Sequence, residues 1–373
     1  MRDSERYPLV SVRRRNGGMF HRGTLQGKEI LTKTLQWVIP GTFVIARMQI
    51  VHGACTFAPE DFAGCAVSKS YSSFASTPRC DAKFFSWLAR HPLMYAYFVD
   101  SSHGVVIEKM TFDQDRWLSQ PICLPPPAEQ SRIVEILDSV EECIRSTELL
   151  ITKLEKLNTA LVCELLTGGS DTDLERARVG EVLHRAEYGI SSPLDYCSGT
   201  PVLRMNNLKD GEVDTSDLKS TLLPVPRKLM LSTGDVLFNR TNSFDNVGRT
   251  SIWRGPSGAI TFASYLVRLV QDDRVILPEY LTLWLNLEEV QKEMRRFATP
   301  GVHQVNINPT NLKKVGIRYP TSLAQQAAVC KRVAASREPI IRMRSELGKL
   351  LKLKQGLMED LLMGRVRPHA EAV

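Results

Sequence analysis

Apolar residues return at a seven-residue interval along two long stretches of the chain. The first ladder runs Leu137, Ile144, Ile151, Asn158 and Leu165, interleaved with Val140, Thr147, Leu154 and Leu161. The second runs Val333, Ile340, Leu347, Lys354 and Leu361, interleaved with Ser336, Met343, Leu350 and Leu357. Such a repeat predicts a long helix whose apolar seam needs a partner helix. Asn158 and Lys354 interrupt matching positions of the seam, where a polar residue lowers stability and helps fix register. Three prolines from Pro125 and a Gly168-Gly169 pair bound the first stretch, and Pro339 is expected to kink the second. A helix of about 38 residues at 1.5 Å per residue spans roughly 57 Å, which suits a spacer.

The two stretches are copies. Gln130 meets Gln326 and Gly168 meets Gly364 at one offset of 196 residues, with Ile144, Lys153, Leu154, Lys156, Leu157, Leu161, Leu165 and Leu166 identical in the second copy. The segments before the helices repeat too. "YPLVSVRRRNGGMF" lies over "TPVLRMNNLKDGEV", and "PGTFVIAR" over "TGDVLFNR", at an offset of 193, with Tyr71 near Tyr265 one residue out of step. Short β-prone runs such as "GDVLFNR", "TSIWR" and "SYLVRLV" predict strands. "DAKFFSWLARHPLMYAYF" from Asp81 and "PEYLTLWLNLEEVQKEMRRF" from Pro278 predict helices.

The expected fold is α+β. Two strand-rich mixed α/β domains are separated by two long helices, which pair as an antiparallel intramolecular coiled coil in a pseudo-two-fold repeat. The expected boundaries are residues 1–124 and 171–320 for the domains, 125–170 for the first helix, and 321–373 for the second helix with its tail. Residues 179–199, "VGEVLHRAEYGISSPLDYCSG", precede the segment that aligns with the chain start. The first domain is therefore expected to be N-terminally shortened, unless the chain continues upstream. The tail "GRVRPHAEAV" is a candidate to pack beside the N-terminus instead.

Charge sharpens the pairing. Residues 129–168 carry eight acidic and four basic side chains, residues 325–368 four acidic and ten basic. Opposite signs on matched helices favour the hetero-pair over self-pairing. The whole chain, 373 residues with 43% hydrophobic composition, has a formal charge of +7, which suits an anionic partner. Eight cysteines include no CxxC pair, and His52, Cys55 and Cys65 fit no zinc spacing. No apolar run has the length of a membrane span, so the expected location is the cytoplasm. Catalytic motifs are lacking. There is no GxxxxGK[ST] loop, "NINPTN" is not the Asn/Asp-Pro-Pro-Tyr/Phe of amino-methyltransferases, and "EKMTFDQD" from Glu108 reads as solvated acid.

Side chains suited to DNA cluster at predicted strand ends. Arginine and lysine pair with guanine edges, asparagine and glutamine with adenine, and all of them with phosphate. In the second domain the candidates are Arg204, Asn206 and Asn207; then Asn239, Arg240, Thr241 and Asn242; then His303, Gln304, Asn306 and Asn308. In the first they are Arg47 and Gln49, at the places of Arg240 and Asn242, with Ser68, Lys69 and Tyr71. Arg14, within the run Arg13–Arg15, is a candidate phosphate contact. The competing reading for the asparagines is turn chemistry.

A proline-rich turn, a Glu-Gln or Gln-Gln pair, a long heptad helix and a Leu-Leu-x-Gly end appear here as "LPPPAEQ…LLTGG" and "YPTSLAQQ…LMEDLLMGR". Together they resemble the specificity (S) subunit of type I restriction-modification enzymes. "GTPVLRMNNLKDGEV", "GDVLFNRTNSFDNVGRTSIW", "ITFASYLVRL" and "GVHQVNINPTNLKKVGI" look like that family's target recognition domain. Gln325 stands where the family usually keeps Glu. The resemblance implies a non-catalytic protein in which each domain reads one half of a bipartite double-stranded DNA site. It also implies two modification (methyltransferase) subunits as partners, and motor-nuclease subunits indirectly. S-adenosylmethionine, ATP and magnesium would sit on those partners, with no cofactor on this chain. A stand-alone two-lobed DNA-binding regulator and a coiled-coil protein-interaction scaffold are the alternatives.

Overall fold

Both apolar ladders form uninterrupted helices, Pro127–Thr167 and Leu323–Leu362, of 41 and 40 residues. In the computed structural model, which describes residues 2–31, 34–104, 110–168, 174–195, 198–301 and 304–368, every ladder position is buried or half-buried. Leu149, Leu150, Leu157, Ile341, Leu351 and Leu353, off the ladders, are exposed. The second helix runs on through Pro339 rather than ending there. Pro339 is exposed, so water can serve the carbonyl that loses its i+4 donor. Gly168 (φ 73°) and Gly364 (φ 68°) take the left-handed conformation just past the two helices, as a C-terminal cap requires.

Residues 1–149 and 344–373 form one unit, residues 150–343 the other. In the first, β1 (Arg6–Val12) lies antiparallel to β2 (Met19–Gln26) and parallel to β6 (Ala66–Ser68), which also takes β3 (Leu35–Trp37). A second sheet centres on β4 (Phe43–Ala46), between β5 (Cys55–Phe57) and β7 (Tyr71–Phe74). The helix expected from Asp81 is two helices, α1 (Ala82–Leu88) and α2 (Pro92–Asp100). His91 is extended before Pro92, which opens the second helix where its missing N–H costs nothing. A short pair, β8 (Ser102–His103) and β9 (Thr111–Phe112), and α3 (Gln114–Leu118) lead to α4 (Pro127–Thr167). The core packs Phe43, Ile45, Phe84, Trp87, Phe98 and Trp117 against Ile133 and Leu137 of α4 and Leu361 and Leu362 of the C-terminal helix.

In the second unit α4 is followed by β10 (Glu175–Arg178) and β11 (Leu183–Tyr188). β12 (Thr200–Leu203), β13 (Leu208–Lys209), β14 (Glu212–Val213) and β15 (Lys219–Thr221) follow. Next come β16 (Val236–Asn239), β17 (Thr241–Asn242), β18 (Thr250–Ile252), β19 (Thr261–Phe262) and β20 (Leu266–Gln271). β12 lies antiparallel to β15 and parallel to β19, repeating the arrangement of β1 with β2 and β6. β16 lies between β18 and β20, as β4 does between β5 and β7. The pairing sets Tyr71 opposite Ala46 and Leu266 opposite Asn239, so Tyr71 matches Leu266 in register, and Tyr265 falls one residue earlier.

The helix expected from Pro278 is again two, α5 (Pro278–Leu285) and α6 (Glu288–Arg295). The chain then forms β21 (Thr299–Pro300), β22 (Val305–Asn306), α7 (Pro309–Leu312) and β23 (Gly316–Tyr319), which pairs with β10, before α8 (Leu323–Leu362). Val236, Phe238, Tyr280, Trp284 and Leu312 pack with Val162 and Leu166 of α4 and Val333 of α8.

The matched glutamines explain how each body is held to its helix. Gln130 is fully buried; its Oε1 accepts from the Asp81 N–H (2.8 Å) and its Nε2 donates to the carbonyls of Arg79 and Pro125 (2.8 Å each). Gln326 is equally buried and does the same with the Leu277 N–H (2.9 Å) and the carbonyls of Val275 and Pro320 (2.8 Å each). Each side chain thereby meets the entry of α1 or α5, where an unserved buried group costs about 1–3 kcal/mol. The two polar interruptions also find partners across the helices. Lys354 pairs with Glu141 and lies 5.5 Å from the Trp87 ring, while the Ser336 hydroxyl donates to Asn158 Oδ1 at 2.8 Å.

Candidate nucleic-acid interface

In the second unit the chain leaves its central strand at Arg240. Asn239, the last residue of β16, is fully buried, and its amide lies 3.4 Å from the carbonyls of Met205 and Asn246. It holds neighbouring loops together and faces inward. One residue later the Arg240 N–H donates to the Tyr265 carbonyl (3.1 Å), and the Arg240 carbonyl accepts from the Ile307 N–H (2.8 Å). β17 then pairs with β22, which carries β21 on its other side. That ladder sets Thr241 opposite Asn306 and joins them through a 2.8 Å bond from Asn306 Nδ2 to Thr241 Oγ1. Two clusters far apart in sequence thus meet, with Thr241–Asn242 and Val305–Asn306 in one small three-stranded sheet and Arg240 and Gln304 at its edge of entry. Asn242 accepts from the Ser243 N–H (2.8 Å) and opens a tight turn. Asn308 caps α7 through the Asn311 N–H (2.8 Å). His303 lies outside the described residues.

The third cluster serves its own loop. Asn207 is buried, accepts from the Arg204 N–H (2.8 Å) and donates to the carbonyls of Asp214 and Asp217 (2.9 Å each). Arg204 is tied to the Asp217 carboxylate at 2.8 Å. Asn206 is exposed, with its amide 3.4 Å from the same carboxylate.

The first unit builds a different surface at the matching place. The Arg47 guanidinium is tied to the backbone carbonyls of Lys69 and Ser70. Arg14 Nε donates to Gln49 Oε1 (2.8 Å), so two candidates from separate segments meet. Arg15 and Asn16 adopt left-handed backbone (φ 56° and 54°), held by N–H bonds to the His52 and Gly53 carbonyls (2.7 Å each). That turn projects the exposed Arg13–Arg15 run from a fixed base, with Arg13 4.9 Å from the Phe20 ring. Lys69 is exposed, and the Tyr71 hydroxyl is 2.8 Å from Ser11 Oγ. Glu108 lies outside the described residues, and Asp113 caps α3 through the Arg116 N–H. Cys55 is buried, and burial pushes its thiol up to about 12, which keeps it protonated.

Sequence reasoning passed over two exposed aromatic residues. Trp37, 56% exposed, stacks on Tyr7 with ring centroids 6.0 Å apart, beside a cleft of about 460 Å³ that Arg2 and Lys69 also line. Tyr188, 46% exposed, lies 5.0 Å beneath the Arg240 guanidinium. It lies in β11, within residues 179–199, and no residue pattern there marks it. Among the described residues no helix is long and apolar enough to cross a membrane.

Residues 2–156 match the family model of the type I restriction modification DNA specificity domain. A putative type I restriction enzyme specificity subunit, MjaX, from Methanocaldococcus jannaschii is 27% identical over 177 residues, 46% of this chain and 41% of the relative. The type I restriction enzyme StySPI specificity subunit of Salmonella potsdam is 25% identical over 230 residues, 57% of this chain and 49% of the relative. The chain spans about half the length of the curated relatives it matches. Among solved structures, a chain described under complex assembly and conformational transition of the type I R-M system shares the fold, with a TM-score of 0.60 at 17% identity over 96% of this chain and 92% of that one. The Type-I restriction-modification system S subunit from M. genitalium has a TM-score of 0.55 at 12% identity over 90% and 84%. The resemblance to type I specificity subunits expected from the sequence therefore holds.

Proposed function

We propose that this chain recognises a bipartite double-stranded DNA site as the non-catalytic specificity subunit of a type I restriction-modification complex in the cytoplasm. Residues 1–124 and 171–320 are the two recognition domains, and residues 125–170 and 321–373 carry the helices that set the unread interval. The helices pair as an antiparallel coiled coil. Support comes from Ser336 meeting Asn158 and Lys354 meeting Glu141, so that numbers rise along one helix as they fall along the other. Their opposite charges support the same pairing. Two modification subunits would dock on the complex and bring S-adenosylmethionine. Motor-nuclease subunits, with ATP and magnesium, join indirectly.

The observation that carries this reading is the small sheet that joins Arg240–Asn242 to Gln304–Asn306. Groove-reading side chains need a rigid base at a strand end, and phosphate contacts beside it fix the register. The experiment is footprinting of the purified chain, with and without a modification subunit, on a library of random duplexes at low salt. Two short protected blocks around an unread interval, weakening steeply with salt, are expected. No protection in either preparation overturns DNA recognition, and one continuous block overturns the bipartite reading. Equally tight protection by the chain alone favours a stand-alone regulator.

A further inference from the structure

We propose that Tyr188 is a positioning residue for sequence discrimination in the second unit. Its ring holds the Arg240 guanidinium flat, so that the donor edge of the fork faces a guanine in the groove. The inference rests on the DNA-recognition reading above and names the device by which one half-site is read.

Arg240 differs from two other arginines of its unit, one at the surface and one buried, whose forks are already spent. Arg204 spends its fork on Asp217, and Arg268 on Glu187 and Asp235. Arg240 has neither ion pair nor hydrogen bond to its guanidinium among the described residues, and its Nε is shielded from solvent without a partner. Among the described residues its guanidinium makes one ring contact, with Tyr188, whose centroid lies 5.0 Å from the guanidinium carbon. A planar fork stacked on an aromatic face keeps its terminal N–H groups free in one plane, the geometry that guanine O6 and N7 accept. Stacking also lowers the side-chain entropy lost when the contact forms.

The platform is rigid on independent grounds. Tyr188 ends β11, where it stands opposite Val267 of β20. Its neighbour Glu187 points to the other face of the strand and is tied to Arg268, with Arg268 Nε to Glu187 Oε2 at 2.9 Å. The next residue must be glycine, because a Cβ at Gly189 would lie 2.1 Å from the Phe262 carbonyl oxygen. Ile190 then bonds the backbone of Phe262 and Ser264 at 2.8 Å each. The ring is clamped before and after, while Arg240 is clamped through Tyr265 and Ile307.

The test compares Tyr188→Phe, Tyr188→Leu and Tyr188→Ala, each alone and with Arg240→Ala, for binding to the selected duplex. Each is measured against duplexes that carry 7-deazaguanine in place of single guanines. The phenylalanine variant keeps the ring and should match the parent. Leucine and alanine should lose about threefold to tenfold of the discrimination at one guanine of one half-site, the range of an exposed to partly desolvated cation–π contact. On the Arg240→Ala background neither should lose more. A ¹⁵N NMR spectrum should show the Arg240 Nε–H resonance moving in the leucine and alanine variants but not in the phenylalanine one, a DNA-independent readout. Three results overturn the proposal: full discrimination without the ring, an undiminished loss when Arg240 is already absent, or a phenylalanine variant as poor as alanine. If the parent binds DNA and Arg240→Ala changes nothing, this inference fails and the recognition reading stands. A parent that binds no DNA ends both.

Discussion

Strands β7 and β20 occupy the same place beside β4 and β16, yet their far sides differ. β20 carries β11 there, whereas β7 has no strand on that side among the described residues. The added strand changes what the strand beside it can hold. Opposite Leu237 of β16 stands Arg268, 7% exposed, surrounded by Glu187 of β11, Asp235 and two backbone carbonyls. Opposite Val44 of β4 stands Ser73, which is exposed. Similar strand pairings therefore support a buried charge network in one unit and a plain polar edge in the other. The unit with the network is also the one in which Arg240, at the place of Arg47, rests on a ring rather than on backbone carbonyls.

The contrast can be broken most forcefully at Arg268. Arg268→Ala leaves Asp235 without its cation and Glu187 with Arg185 alone, and should lower unfolding stability by about 3 kcal/mol in urea melts. A loss under about 1 kcal/mol would mean that water already serves these acids. Next come the glutamines, which should make the two units look alike. Gln130→Ala and Gln326→Ala each remove the side-chain partner of one half-buried N–H and two carbonyls, and each should cost about 1–3 kcal/mol. Sharply unequal losses would show that only one bracket bears strain.

The surface substitutions should separate the units again. Arg240→Ala should reduce discrimination at one half-site by about 1–3 kcal/mol while leaving the other unchanged, as read by binding to half-site variants. Arg47→Ala, whose fork is spent on backbone carbonyls, should cost folding before it costs discrimination. Acid gives a finer separation. Burial pushes the Glu187 carboxyl up, but Arg185 and Arg268 outweigh this and hold it below its ordinary range. Its folded pKa thus lies under the unfolded value of about 4.3, so its contribution is present above that pH and fades as pH falls through the lower value. Urea midpoints should drop between pH 5 and 3, and drop less in Glu187→Gln. At the small end, Ser73→Ala should stay within about 0.5 kcal/mol of the parent.

The helices were legible in detail because a seven-residue period is a long, redundant signal: every ladder position from Leu137 to Leu361 is protected. The bodies were legible in outline. Strands such as Val236–Asn239 were visible from their apolar runs, but the breaks at His91 and Asn286 were not. The amide of Asn286 bonds the backbone of Thr250, a partner far away in sequence. The candidate surface was read from residue type, which cannot tell a groove-facing asparagine from one that serves its own backbone. Asn206 is exposed and Asn207 buried, although they are neighbours of identical type. Tyr188 was missed for the opposite reason, since a lone tyrosine in an unmatched segment carries no pattern until Arg240 is folded over it.

The hydrogen bonds of the glutamine bracket all go to main-chain atoms among the described residues. Arg79 and Val275 share no chemistry, nor do Asp81 and Leu277, yet the same amide serves both pairs because every residue offers a carbonyl and nearly every residue an N–H. A joint of this kind is blind to the sequence it fastens. Side chains in the body above it can change, and the fastening survives as long as the backbone path at its foot is kept.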